Sequence, residues 1–70
     1  MYMNRPYILL VDIFNVCIPI QNIQIIDKTT NDVIAEGPHW ELRKLFNEYG
    51  DHEVYIMQVH RETLIIVIKP

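Results

Sequence analysis

The sequence predicts an α+β domain: an antiparallel sheet of four to five strands, β-β-β-α-β-β along the chain, with one helix packed on one face. Three observations predict it. Twelve isoleucines and six valines lie outside residues 38–50, and β-branched side chains pack better on a pleated surface than on a helix. One stretch alone, between Pro38 and Gly50, combines helix-end residues with the i, i+3, i+4, i+7 apolar spacing of a single buried stripe. A length of 70 residues is about half the usual domain size, which leaves room for one domain spanning 1–70.

Residues 7–18 read as the first strand, ended by Pro19, which cannot donate to a ladder. One face carries Tyr7, Leu9, Val11, Ile13 and Cys17, and the other Ile8, Leu10, Phe14, Val16 and Ile18. Residues 23–27 and 33–36 flank Lys28-Thr29-Thr30-Asn31-Asp32, a run of turn formers, and make a short hairpin expected at a sheet edge. The helix follows, with Gly37 at the N-cap, Pro38 at the first helical position and Gly50 just past the end. Its buried stripe is Leu42, Leu45, Phe46 and Tyr49, while Arg43, Lys44, Asn47 and Glu48 face away. Residues 53–60 and 63–68 form the last two strands, joined tightly at Arg61-Glu62. The first, fourth and fifth strands are apolar on both faces and are therefore expected inside the sheet.

That two-sided character creates a shortage of cover. A helix of about 12 residues is roughly 18 Å long and 10 Å across, whereas five strands make a sheet about 24 Å wide. The second face is left to another copy of the chain or to a protein partner, unless the sheet coils strongly enough to bury it. A chain of 8.4 kDa buries only about 60% of its unfolded surface, so help from an oligomer is expected on stability grounds as well. Disulfides supply none within the chain, because Cys17 is the single cysteine, and a reducing, cytoplasmic setting is the simplest fit. No membrane segment is expected: the longest stretch without charge, residues 13–26, is 14 residues, short of the ~20 needed to span a bilayer.

Chemistry is easier to exclude than to propose. There is no serine for a Ser-His-Asp arrangement, and two glycines cannot build a phosphate-cradling loop. His39, His52 and His60 fall on separate elements without metal-ligand spacing, so neither a metal nor a cofactor is called for and no catalytic residue is assigned. Asp27, Asp32, Asp51 and Glu53 read as solubilising residues at strand ends. Asp12 interrupts an apolar stretch and must find a partner, such as Arg5 or Lys69, or face an interface or ligand. A net charge of −3 has the wrong sign for a nucleic-acid footprint.

Trp40 stands nearly opposite the buried stripe at 100° per residue, so it is expected to be exposed beside Arg43, Lys44 and Asn47 as a partner-binding face. The competing expectation folds it over Glu36-Gly37-Pro38 as a local cap. The sequence thus points to a non-enzymatic interaction protein, an inhibitor or accessory subunit, working as a homo-oligomer that also meets a second protein. The alternative is an oligomeric binder of a small ligand or nucleotide, with pockets between protomers near His39, Trp40, Arg43 and Lys44. The isoleucine content also suits an AT-rich genome, such as that of a low-GC bacterium or its phage.

Overall fold

In the computed structural model, which describes residues 7–69, two antiparallel hairpins lie side by side and are joined through their inner strands by parallel pairing. The elements in chain order are α1 (Leu10–Phe14), β1 (Asn22–Asp27), β2 (Val33–Pro38), α2 (His39–Leu42), a 3-10 turn (Arg43–Leu45), α3 (Phe46–Tyr49), β3 (Val54–His60) and β4 (Thr63–Ile68). The sheet order is β2-β1-β4-β3. β1 pairs antiparallel with β2 and parallel with β4, and β4 pairs antiparallel with β3. The class is α+β with a four-stranded mixed sheet, not a wholly antiparallel one.

The parallel centre follows from the connection. β2 and β3 run at opposite edges, and the chain between them, residues 39–53, carries the helical segments across one face. Parallel strands need a crossover of a dozen or more residues, usually helical, and here that crossover supplies the cover. The segment is not one continuous helix, because α2 and α3 are separated by the 3-10 turn. Pro38 is the N-cap, one residue later than expected. Gly37 ends β2 with φ 153°, a value open to glycine but strained for other residues, and it is the one described glycine with positive φ. Gly50 therefore does not supply the left-handed stop expected of it. It is buried, and its carbonyl accepts the Val11 N–H at 2.9 Å.

Residues 7–18 contain no strand, which corrects the sequence expectation. Leu10–Phe14 are helical and put Leu10, Ile13 and Phe14 into the core, with Cys17 packed against it. The first-turn donors of α1 all find acceptors. The Leu10 N–H reaches the His52 carbonyl at 2.9 Å, the Val11 N–H reaches Gly50, and Asp12 Oδ2 accepts the Leu9 N–H at 2.9 Å. The bonds to His52 and Gly50 staple α1 to the loop after α3. Leu9 also forms an isolated antiparallel bridge with Glu53.

The core is Leu10, Ile13 and Phe14 from α1, Ile23 and Ile25 from β1, Leu42 from α2, and Ile66 and Ile68 from β4. β1 and β4 are the interior strands, whereas β3, expected inside, is an edge strand and largely exposed. The hairpin expected at the edge contributes one edge strand, β2, and one central strand, β1. At the β3–β4 turn Arg61 and Glu62 both take positive φ, 50° and 67°, without the Asn-Gly that eases such a turn. Gln21 Nε2 donates to the Glu62 carbonyl at 2.9 Å and ties this strained tip to the loop before β1.

Candidate functional site

Register decides what the sheet shows to solvent. Ile23, Ile25, Ile66 and Ile68 point to the helices, so the alternate residues of the same strands point away. On that outer face Val33, Ile26, Val67 and Ile56 stand opposite one another in one row across all four strands. The next row is Glu36, Gln24, Ile65 and Gln58, and beyond it come Pro38, Asn22, Thr63 and His60. The face is therefore graded from an apolar band to a polar end. No described helix packs on it. Ile26, Ile65 and Val67 are screened by their neighbours, while Val33 and Ile56 are about half exposed at the two edges.

Tyr55 closes the apolar row. It is the extra residue of a β-bulge between Val54 and Ile56, half exposed, with Lys28 Nζ 4.5 Å and Lys69 Nζ 5.6 Å from its ring centre. Two cations near one aromatic ring make a local positive rim in a chain of net charge −3. Lys69 also pairs with Glu53 at 3.4 Å, an exposed pair of little energetic weight.

The opposite side of the molecule holds a second apolar feature. The loop between α1 and β1 exposes Val16, Ile18 and Ile20, and together with Val59 and Leu64 they line an open groove of about 660 Å³, rimmed by Arg61 and Glu62. Cys17 lines the same groove. Burial pushes its thiol above the ordinary cysteine value, which keeps it protonated and slow as a nucleophile.

The residues singled out from sequence are dispersed. Trp40 is 60% exposed, on the first turn of α2, with its backbone N–H donating to the Pro19 carbonyl at 3.0 Å. Arg43, Lys44 and Asn47 are exposed on the same helical segment. Asp12 is half-buried and its carboxylate serves the start of α1; Arg5, one partner considered for it, lies outside the described residues. The side chain of Phe46 is likewise outside what the structure describes.

His39 lies in the interior, 4% exposed, beside Trp40 in sequence but not on its surface. Its ring is tilted at 52° against Phe14 with centres 5.1 Å apart, and neither ring nitrogen has a hydrogen-bond partner among the described residues. A buried polar group without a partner costs about 1–3 kcal/mol. His39→Leu, which keeps an apolar side chain against Phe14, is expected to stabilise the fold by about 1 kcal/mol and to raise the melting temperature by roughly 4–8 °C. A fall of that size in a thermal melt would show instead that the ring makes a contact the fold depends on.

Among the described residues no group of three or more His, Cys, Asp or Glu side chains could hold a metal ion, and no helix is long and apolar enough to cross a membrane. No protein-family model, curated protein or solved structure significantly matches the chain. The two apolar surfaces and the helical face around Trp40 are the candidate functional features of the chain. The groove had no sequence signal of its own, because it depends on the loop that replaces the expected first strand. The apolar row did have one, in the adjacent Ile25-Ile26 and the unbroken run Leu64 to Ile68, since runs apolar at successive positions must be apolar on both faces.

Proposed function

We propose that the chain is a non-enzymatic interaction module that self-associates through the outer face of its sheet, acting as an inhibitor or accessory subunit toward a protein partner. The observation that carries this reading is the row Val33, Ile26, Val67 and Ile56, uncovered by any described helix. Contiguous exposed apolar patches on small proteins mark interaction sites. If each copy buries on the order of 300 Å² of apolar surface, the gross gain is about 15 kcal/mol, against about 4–15 kcal/mol for lost translational and rotational freedom. The balance supports reversible association rather than a permanent complex.

Trp40, Arg43, Lys44 and Asn47 are then left on a different side for the second protein, because they sit on the helical segments that cover the inner face. An exposed Trp with a neighbouring Arg has the composition of a binding hot spot. A chain that works in this way acts as a homo-oligomer and turns over no substrate.

Thermal unfolding tests the reading against the small-ligand alternative. A self-associating module is expected to melt higher as protein concentration rises and to ignore added nucleotides, by mass action. A melting temperature that is independent of protein concentration but rises with nucleotide would overturn it.

A further inference from the structure

The turn between β3 and β4 carries a cost that its sequence does nothing to relieve. Arg61 and Glu62 both lie in the left-handed region, at φ 50° and 67°, where Asn-Gly is the favoured pair and a side chain crowds the backbone. Residues held in such conformations persist where the surrounding structure enforces them, and they gather at ligand clamps. Here Gln21 enforces the turn, through Nε2 to the Glu62 carbonyl at 2.9 Å. Both side chains border the open groove. Neither side chain has a hydrogen bond or ion pair among the described residues. The rim therefore presents one cation and one anion at adjacent positions, and the described lining contains no other charge.

The apolar part of the groove is Val16, Ile18 and Ile20 from the loop before β1, with Val59 and Leu64 from the hairpin. Val16, Ile18, Ile20 and Val59 are between 60% and 79% exposed. The volume of about 660 Å³ falls within the roughly 300–1,000 Å³ of small-molecule sites.

We propose that the groove binds a free apolar α-amino acid of the leucine or isoleucine type. Its side chain lies on the aliphatic lining, its carboxylate meets the Arg61 guanidinium, and its ammonium meets the Glu62 carboxylate. Charge complementarity selects this class. A guanidinium takes a carboxylate through two parallel hydrogen bonds. A fatty acid would set its carboxylate against Glu62 as well as Arg61, and a simple amine would meet Arg61 as well as Glu62. Nucleotide phosphates would bring several negative charges to a rim whose two charges cancel. An α-amino acid carries one charge of each sign on a single carbon, which matches two neighbouring side chains. The open mouth suits a ligand whose charged end stays in water. The site lies apart from the outer-face row and does not depend on self-association.

Trp40 reports on the groove, because it is the single Trp of the chain and its backbone N–H holds the Pro19 carbonyl at 3.0 Å, between the groove residues Ile18 and Ile20. Titration of the full chain with L-leucine is expected to give a saturable change in Trp40 emission. 4-Methylpentanoate, which lacks the amine, and 3-methylbutylamine, which lacks the carboxylate, are each expected to bind at least about 10-fold more weakly. Arg61→Asn is expected to weaken L-leucine binding by at least about 10-fold, and Glu62→Asn to abolish the preference for L-leucine over 4-methylpentanoate. Asparagine tolerates the left-handed region, so both variants are expected to melt no lower than the parent, which separates lost binding from lost folding. No saturable response to L-leucine, or equal binding of L-leucine and its two analogues, would overturn the proposal. Trp40 emission that changes with protein concentration and not with L-leucine would assign the groove to a second copy and overturn it as well. Each of these results leaves the outer-face contact, read by its own variants, standing.

Discussion

Phe14→Ala is expected to destabilise the fold by about 3–5 kcal/mol, enough to leave a 70-residue chain unfolded at room temperature. Phe14 is 2% exposed and is the largest of the fully buried side chains. It projects from a helix of five residues that has no stability of its own at that length, so α1 is held by what it packs against. Truncation removes the aromatic contact with His39 and opens a cavity among Ile13, Ile23 and the neighbouring core. Because α1 is stapled to residues 50 and 52, its loss also releases the loop that leads into β3. Circular dichroism of the variant measures the effect. A melting curve like the parent's would show that residues 10–14 do not occupy the core.

Val67→Lys is expected to weaken self-association at least 100-fold, about 2.7 kcal/mol, while changing the stability of the protomer by no more than about 1 kcal/mol. Val67 lies near the centre of the apolar row, between Ile26 and Ile56, and is half-buried within the single chain. In a lone protomer the lysine stem can lie along the sheet with its ammonium in water. Between two stacked sheets the same ammonium is desolvated without a partner, which costs several kcal/mol. Val67→Thr, which keeps the branched shape, is expected to produce a smaller loss of the same sign. Equal association of the Lys variant and the parent, measured at matched concentration, would remove the row from the interface.

The strand segments were legible because their residues alternate or run apolar in short blocks between turn formers. Val33 to Pro38, Val54 to His60 and Thr63 to Ile68 stand close to where the sequence places them. The helical segment was legible from Pro38 and from the stripe of Leu42, Leu45 and Tyr49, all of which pack on the core. Residues 7–18 misled for a physical reason. An apolar stretch that is two-sided at period 2 is also continuous at period 3.6, and Leu10, Ile13, Phe14 and Cys17 follow i, i+3, i+4, i+7. Their β-branched neighbours favoured the strand, but the Leu9 N–H captured by Asp12 and the core space over the inner face of β1 and β4 decide for the helix.

Strand order was not legible for a different reason. Local signals specify hairpins, and both hairpins exist, but which strand of each turns inward depends on the competition for the two central places. β1 and β4 hold the core isoleucines and occupy them, whereas β3 carries Gln58 and His60 and remains at the edge. The exposure of Trp40 was legible from helical phase, because a first-turn residue opposite the stripe stays outside even when the helix tightens into a 3-10 turn behind it. The groove could not be read, since it is made by the loop that ends α1 and by the far hairpin.

Sedimentation equilibrium of the unmodified chain across a dilution series is the decisive measurement, because the proposed self-association through the row that no described helix covers must appear as a mass above that of one chain. A mass that is a multiple of 8.4 kDa at micromolar concentration and declines toward 8.4 kDa on dilution is expected. A mass of 8.4 kDa at every concentration, with no binding of a hydrophobic dye, would contradict it.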